Sequence, residues 1–232
     1  MWTDLVATPL FGVTLTLVVY LLAQQLYRRV NSVWANPVLV SIVTIILLLM
    51  GSGVEYRDYA RGGDIILFLL GPSVVALAVP LYQRREEIWQ RKRPILIGVF
   101  AGSLASIVSA CGLAWVLGGS REIILSLAPK SVTTPIAISI VEKIGGLAPL
   151  TAAIVVLTGC LGAVCGPEFC RRIGVTSPVA TGLAVGTAAH GIGTARMFEV
   201  DRLSGAVAGL AIGLNGLMTT FLLPVLMVLT GY

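Results

Sequence analysis

One lysine stands alone in a long apolar stretch of the chain. Lys130 is the only charged residue in the interior of residues 122–144. Its neighbours are a proline and three hydroxyl side chains: Pro129, Ser131, Thr133 and Thr134. If the stretch lies in a membrane, a charge at its centre costs about 2.5–3.5 kcal/mol and by default implies a partner or a bound anion. We interpret this group as an anion site; an ion pair with Glu142 and snorkelling of Lys130 to the interface are the alternatives.

The prolines around Lys130 favour the same chemistry. Pro129 and Pro135 cannot donate a helical hydrogen bond, so a helix that restarts after this break has free N–H groups at its first turn. Those donors and the positive end of the helix dipole suit a carboxylate. The sequence therefore predicts a cage for a small anion at this break.

The chain has one histidine, within a second unusual apolar stretch. Thr187, His190 and Thr194 are spaced three and four residues apart, so they share a face if the segment is locally helical. A histidine titrates near neutral pH, which suits hydrogen bonding to a substrate or proton carriage. We predict that these three residues bind the substrate and that His190 is a candidate for proton coupling.

Three further polar residues lie at the end of this segment and in the segment after it. Arg196 and Glu199 are three residues apart at its end. They could bind a carboxylate and act as a gate, or form an ion pair within one helix. Asn215 lies between Gly213 and Gly216 in the last apolar segment. We assign it to a helix–helix hydrogen bond, with coupling or gating as the functional alternative.

The composition places these residues in a membrane. The 232-residue chain is 56% hydrophobic and only 12% charged, with a mean hydropathy of +0.94. A chain this short cannot bury so much apolar surface in one aqueous core, which excludes a soluble globular fold. The net charge of +5 comes from basic residues in short loops, a positive-inside pattern that requires no nucleic acid.

The hydropathy pattern predicts an all-α, polytopic membrane protein with one transmembrane domain over residues 1–232. Residues 1–93 form scaffold helices in this reading, and residues 94–232 form the core. The basic loops place the N-terminus outside, and the start lacks the basic region of a signal peptide. Eight hydrophobic segments are readable: about 5–26, 36–54, 64–82, 94–117, 122–144, 148–170, 177–198 and 203–230.

Segments 122–144 and 177–198 are predicted to be discontinuous helices. The first is interrupted by prolines and polar residues, and the second is rich in glycine and threonine. Broken backbone at membrane depth is tolerated where it is buried in protein or lines a cavity. An internal similarity at an offset of 53 aligns Leu150–Leu161 with Leu203–Leu214 and overlays the two broken segments. Paired broken helices within repeats indicate a transporter's binding site. Whether these segments span or re-enter stays open, because both arrangements keep most basic residues on one side.

Enzyme signatures are missing from the sequence. It has no H-E-x-x-H, G-x-S-x-G or Walker motif and no pair of membrane aspartates, so we predict neither catalysis nor an ATP-driven pump. The four cysteines lack a C-x-x-C spacing and a neighbouring histidine. We therefore predict no metal, disulfide or cofactor.

Three motifs resemble the LrgB/CidB family over nearly the whole chain. They are Leu70–Tyr82, Ala128–Pro135, and Gly186–Arg196 with Glu199. The family's conserved positions match Lys130, Thr133, Thr134, Thr187, His190, Thr194, Arg196 and Glu199. The resemblance implies a bacterial cytoplasmic-membrane protein, because the transit peptide and extra LrgA-like half of plant members are not found here.

Two functions attach to that family. Some members are described as antiholin-like proteins that act with a small LrgA/CidA-type membrane partner on murein hydrolase export and lysis. Others are described as carriers of small 2-oxy monocarboxylates such as glycolate, glycerate or pyruvate. The lone lysine and the paired broken segments favour a secondary carrier with a substrate site, and the resemblance implies that it works by alternating access. We expect it to be proton-coupled and dimeric. Sodium coupling and a channel are the alternatives within transport.

Overall fold

The computed structural model of the chain describes residues 6, 8–30, 32, 35–76 and 78–231. Over these residues the fold is helical, without a β-strand. Five stretches are long and apolar enough to cross a membrane: Pro9–Val30, Tyr56–Gln83, Lys92–Val116, Ala148–Arg172 and Arg202–Thr230. The prediction of an all-α polytopic membrane protein is confirmed.

The chain divides into two compact units, Met1–Leu77 and Ala78–Tyr232. The single transmembrane domain, with its scaffold and core, stays a prediction. The N-terminus is predicted to lie outside the cell. Its residues 1–5 are not among those that the structure describes.

The first unit is held by a close crossing of two helices. Its helices are α1 (Pro9–Val30), α2 (Pro37–Ser52), α3 (Tyr56–Phe68) and α4 (Leu70–Ala76). Gly12 of α1 and Gly62 of α3 lie against each other, and a methyl group on either would collide with the other helix's backbone. Next to this crossing, the hydroxyls of Thr16 and Tyr59 are 2.9 Å apart and hydrogen-bonded.

The second unit contains the residues that the sequence singles out. Its helices are α5 (Ala78–Gln83), α6 (Arg85–Gln90), α7 (Lys92–Val116), α8 (Arg121–Leu127), α9 (Thr134–Ile144), α10 (Ala148–Arg172), α11 (Pro178–Val200) and α12 (Arg202–Thr230). Local signals set their ends. Ser120 caps α8 by accepting the Ile123 N–H, and α9 ends at Gly145, whose φ of 85° favours glycine.

Helices α8 and α9 form a re-entrant hairpin, here called the first hairpin (residues 121–144). Helix α9 has 11 residues, about 16 Å of rise. Beyond its end, the Leu147 N–H donates to Ser126 Oγ of α8 at 2.7 Å, and Thr151 Oγ1 donates to the Ser126 carbonyl at 2.9 Å. Because the end of α9 returns to the level of α8, the chain reverses at residues 128–133.

Helix α11 also turns back on itself and is here called the second hairpin (residues 178–200). Its backbone leaves the helical region at Ala189 and at His190, where φ is 39° and ψ is −135°. A methyl group on Gly193 would lie 3.0 Å from Val185 Cγ1, although eight residues of straight helix separate their levels by about 12 Å. Met197 shares a buried cluster with Val185. The arms 178–188 and 191–200 therefore run in opposite directions.

The two hairpins enter the second unit from opposite ends. Gly182 and Gly186 of the second hairpin lie against the backbone of Ser204 and Ala208, at the start of α12. In the first hairpin, Ile140 and Ile144 pack in the cluster that holds the end of α12. Each hairpin precedes a long helix, α10 or α12, so the unit repeats a hairpin–helix element in inverted orientation.

These contacts settle how the two broken segments run. Both are discontinuous, as predicted, and both re-enter rather than span. Each arm is too short to cross about 30 Å of hydrocarbon, and each hairpin returns to the end from which it starts.

Candidate functional site

Lys130 lies at the tip of the first hairpin with two hydroxyls. Its Nζ donates to Ser106 Oγ of α7 at 3.1 Å and to Ser131 Oγ at 3.0 Å. The two hydroxyls are themselves 2.8 Å apart and hydrogen-bonded. An ammonium group has three N–H donors, so one remains for a further acceptor. In the described part of the chain no carboxylate lies within ion-pair distance of Lys130, so the alternative pairing with Glu142 is not found.

The start of α9 adds backbone donors next to Lys130. Thr133 is the N-cap but makes no side-chain hydrogen bond to the first turn, and Pro135 has no N–H. The first-turn N–H groups of Thr134 and Ile136 therefore lack a helical acceptor and a side-chain cap. The Thr133 and Thr134 side chains are half-buried here. A cation, two serine hydroxyls and a helix N-terminus are combined at one tip. The anion cage, with Thr133 and Thr134 in it, stays a prediction.

Asn215 connects the two hairpins. It lies halfway along α12 and is 1% exposed. Its Nδ2 donates to the Ser131 carbonyl of the first hairpin at 2.9 Å and to the Thr187 carbonyl of the second at 3.0 Å. Its Oδ1 accepts from Ser103 Oγ of α7 at 2.6 Å. The predicted helix–helix hydrogen bond is therefore one part of a larger junction that also holds both hairpins.

Thr187 brings an unpartnered hydroxyl to this junction. The residue is 5% exposed, and its Oγ1 is fully buried without a hydrogen-bond partner among the described residues. Its methyl group lies over Gly102 of α7, where an added side chain would come within 3.0 Å. A buried hydroxyl without a partner loses about 1–3 kcal/mol of solvation, so it is a candidate ligand for a bound group.

His190 forms the tip of the second hairpin. It is the only non-glycine residue with a positive φ in the part of the chain that the structure describes. Such a backbone costs of order 1–3 kcal/mol and occurs most often at functional sites. Its Nε2 is 2.9 Å from the Val155 carbonyl of α10, and a carbonyl only accepts, so Nε2 carries a proton. The imidazole lies over Gly159, where a methyl group would come within 2.7 Å of Cε1.

The shared helical face expected for Thr187, His190 and Thr194 is not formed. The chain breaks at Ala189 and His190 and places Thr194 on the returning arm. Thr194 Oγ1 donates to the His190 carbonyl at 2.9 Å, so it stabilises the turn. The three residues remain close to the tip of the second hairpin, but on two arms.

Arg196 and Glu199 lie on the returning arm of the second hairpin. Arg196 Nη1 donates to Glu199 Oε2 at 2.7 Å, and the two side chains are 33% and 59% exposed. The structure therefore contains the ion pair within one helix that the sequence left as an alternative. The gate stays a prediction.

Several hydroxyls of the site were not singled out from the sequence. Ser103 and Ser106 on α7 hold Asn215 and Lys130, and Ser126 joins the first hairpin to Thr151 of α10. Hydroxyls in apolar helices usually bond to the carbonyl four residues earlier. Ser103, Thr151 and Ser126 do this as well, so they carry no distinct signal in the sequence.

One ionisable group outside the membrane-spanning segments has a shifted pKa. Asp201 precedes α12 and accepts the Ser204 N–H at 2.8 Å. This hydrogen bond holds the pKa of the Asp201 carboxyl below its ordinary value, and the charge of Arg84 adds to the effect. Asp201 therefore stabilises the start of α12 in its charged form.

Five candidate spans and two opposed re-entrant hairpins define a multi-pass membrane protein. The LrgB-like family matches residues 16–229, so the chain belongs to that family. This agrees with the resemblance of the three sequence motifs.

Individual relatives cover nearly the whole chain. It is 37% identical to YwbG of Bacillus subtilis (strain 168) over an alignment of 213 residues. This alignment covers 92% of this chain and 95% of YwbG. It is 32% identical to the holin-like protein CidB of Staphylococcus epidermidis (strain ATCC 12228) over 217 residues, an alignment that covers 94% of this chain and 95% of that protein. YxaC of B. subtilis is 35% identical over 212 residues, which are 91% of this chain and 92% of YxaC. No solved structure matches the chain.

Proposed function

We propose that this protein is a secondary active carrier of small 2-oxy monocarboxylates such as pyruvate, glycolate or glycerate. The observation that carries the proposal is Lys130 at a re-entrant tip, bonded to two hydroxyls and without a described carboxylate partner. A membrane-buried cation of this kind requires an anion to balance its charge. The first-turn N–H groups of α9 supply further donors for a carboxylate.

The second hairpin supplies the groups for the rest of the substrate. Thr187 has a buried hydroxyl available for the 2-oxy group. The Nε2–H of His190 is committed to Val155, so Nδ1 is the ring atom that can accept a hydrogen bond from a substrate hydroxyl or take up a transported proton. Thr194 holds the turn that presents His190. We propose alternating access with proton coupling, in which Arg196 and Glu199 open and close the path.

Charge supports a particular orientation of the second unit. Its end beside the second hairpin carries most of the basic residues: Arg84, Arg85, Arg91, Lys92, Arg93, Arg171, Arg172 and Arg202. The opposite end carries Arg121 and Lys143. By the positive-inside rule the second hairpin enters from the cytoplasm and the first from outside. We propose that the membrane is the bacterial inner membrane, with the N-terminus outside.

A second candidate function comes from the names of relatives. The S. epidermidis relative is called a holin-like protein, which fits a membrane protein that acts with a small LrgA/CidA-type partner on murein hydrolase export and lysis. Such a role needs contacts between membrane proteins and no substrate cage. In neither proposal is the chain an enzyme, and in both it forms homodimers.

Uptake into proteoliposomes tests the carrier. The purified chain is reconstituted alone, and uptake of labelled pyruvate and glycolate is measured with and without an imposed pH gradient. We expect saturable uptake that follows the gradient and falls to the level of empty liposomes in Lys130→Ala. Lys143→Ala is the matched control, because Lys143 is the exposed lysine at the end of the same hairpin.

One result would contradict the assignment of the site, and another would contradict transport itself. Wild-type uptake by Lys130→Ala would overturn the assignment of the site. No uptake by folded protein, even after co-reconstitution with a small LrgA/CidA-type partner, would overturn monocarboxylate transport and favour the holin-like role.

A further inference from the structure

Two backbone carbonyls are released where the hairpins break. The Thr187 carbonyl would pair with the N–H of Gly191 in a continuous helix, but the chain turns at Ala189 and His190 before that residue. The Ser131 carbonyl lies in the non-helical tip of the first hairpin. Freed carbonyls at membrane depth must find donors, and in broken-helix transporters such carbonyls coordinate coupling cations.

Asn215 satisfies both carbonyls with one amide group. Its two N–H bonds point to Ser131 O and Thr187 O, at 2.9 and 3.0 Å. Its Oδ1 accepts from Ser103 Oγ at 2.6 Å and, more weakly, from Thr219 Oγ1 at 3.4 Å. All the hydrogen-bonding capacity of the amide is used. The partners also fix which end is oxygen, because carbonyls only accept.

The two carbonyl oxygens, one from each opposed hairpin, face the NH₂ end of Asn215 at one buried position. The two hydroxyls, from α7 and α12, donate to the other end of the amide, Oδ1. An amide NH₂ carries a partial positive charge, so it takes the place that a sodium ion would take between the two carbonyl oxygens. We propose that Asn215 is a built-in substitute for a coupling cation, which ties the two hairpin tips together without bound sodium.

This inference deepens the proposed carrier, because it assigns the coupling of the two hairpins to a side chain. It predicts that the wild-type chain is indifferent to sodium. It also predicts that a carboxylate at position 215 recruits sodium, since Asn215→Asp replaces two N–H donors by an anionic oxygen and leaves the carbonyls unpaired. Asn215→Ala removes the donors without adding a charge and serves as the control.

Thermal unfolding in detergent tests whether Asn215 takes the place of a cation, and it does not require transport. The Tm of wild type, Asn215→Asp and Asn215→Ala is measured in sodium, potassium and choline chloride at equal ionic strength. We expect equal Tm values in the three salts for the wild type and for Asn215→Ala. For Asn215→Asp we expect a saturable rise of about 8 °C in sodium over choline, the size that a ligand at 100 times its Kd gives a chain of this length.

Two outcomes overturn the proposal. One is a folded Asn215→Asp whose Tm does not respond to sodium. The other is a wild-type Tm that rises by several degrees in sodium but not in potassium or choline. The wild-type comparison decides even if Asn215→Asp does not fold. Sodium-dependent uptake by the wild type would overturn the proposed role of Asn215 but not the proposed carrier. Absence of uptake together with the expected Tm pattern would overturn the carrier but not the role of Asn215.

Discussion

The two hairpins have the same overall course but turn in different ways. The first reverses through six non-helical residues, 128–133, which include the only lysine at mid-depth in its segment. The second reverses within two residues, Ala189 and His190, and is packed by glycines on its own arms and on α10. A longer polar turn can present donors to a ligand, whereas a tight packed turn holds a side chain in place.

This difference assigns separate tasks to the two tips. In the proposed carrier, Lys130 at the first tip carries a charge that destabilises the unliganded protein and binds the anion. His190 at the second tip sits in a strained backbone that the surrounding packing maintains. Removing the charge at the first tip should therefore abolish binding and stabilise the unliganded protein, whereas changes at the second tip should lower stability.

The largest expected effect tests the packing of the second hairpin. In Gly186→Val the new side chain runs into the Ala208 backbone of α12, 2.5 Å from its carbonyl oxygen. We expect a loss of about 3 kcal/mol in the free energy of unfolding, or about 10 °C in Tm. Gly213→Val is the control, because a Cβ added there would meet no atom of another helix within 4 Å, so its Tm should stay within about 2 °C. Equal Tm losses in the two variants would show that the second hairpin does not pack on α12 in this way.

The next effect tests the charge at the first tip. Lys130→Met keeps the length of the side chain and removes a charge that costs about 2.5–3.5 kcal/mol in the membrane, so Tm should rise by about 9 °C. The Ser106 and Ser131 hydroxyls can still bond to each other. Lys143→Met should change Tm by less than about 2 °C, because that side chain is exposed. A fall in Tm for Lys130→Met would indicate that Lys130 has a structural partner.

A pair of substitutions at position 190 separates backbone strain from side-chain loss. Both His190→Ala and His190→Gly remove the hydrogen bond to Val155, but only glycine adopts a φ of 39° without strain. We expect His190→Gly to exceed His190→Ala by about 1–2 kcal/mol in stability, which is about 4 °C in Tm. The alanine variant being the more stable of the two would contradict the tight turn.

The smallest effect concerns the entry into α12 beside the second hairpin. Asp201→Ala removes the N-cap and should cost about 1 kcal/mol at neutral pH, or about 2–4 °C in Tm. Because the folded-state pKa of Asp201 is lowered, its contribution is present above the ordinary aspartate pKa of about 3.9 and is lost as pH falls through the folded-state value.

The difference in Tm between wild type and Asp201→Ala should therefore shrink between about pH 5 and pH 3. Asp201→Asn keeps a capping oxygen, so it should retain most of the wild-type stability at neutral pH without this pH dependence. A constant difference in Tm across this range would mean that the charge of Asp201 contributes nothing.

Much of this arrangement is predictable from the sequence. The prolines around Lys130 and the glycine-rich run before His190 located both broken segments, because such residues interrupt helices at membrane depth. The hydrogen bond of Asn215 was also expected, since a buried amide in an apolar helix needs partners. The lysine stood out because a charge is costly there.

The remaining features depend on tertiary contacts. Re-entry could not be told from spanning, because hairpins and spans have the same composition and keep the basic residues on the same side. The partners of Asn215 are carbonyls of Ser131 and Thr187, and backbone acceptors carry no sequence signal. The prediction that Thr187 and Thr194 share a helical face is wrong, because the turn at His190 reverses the chain between them.

The proposed carrier depends on the opposite entry of the two hairpins, which meet near mid-depth. Labelling of single cysteines in a cysteine-free background with a membrane-impermeant maleimide tests it most directly, in intact cells and in inverted vesicles. We predict that cysteines at Arg121 and Lys143 label from one side, and that cysteines at Ser177 and Val200 both label from the other. Labelling of the two ends of either hairpin from opposite sides would show that the segment spans the membrane, and would contradict the account.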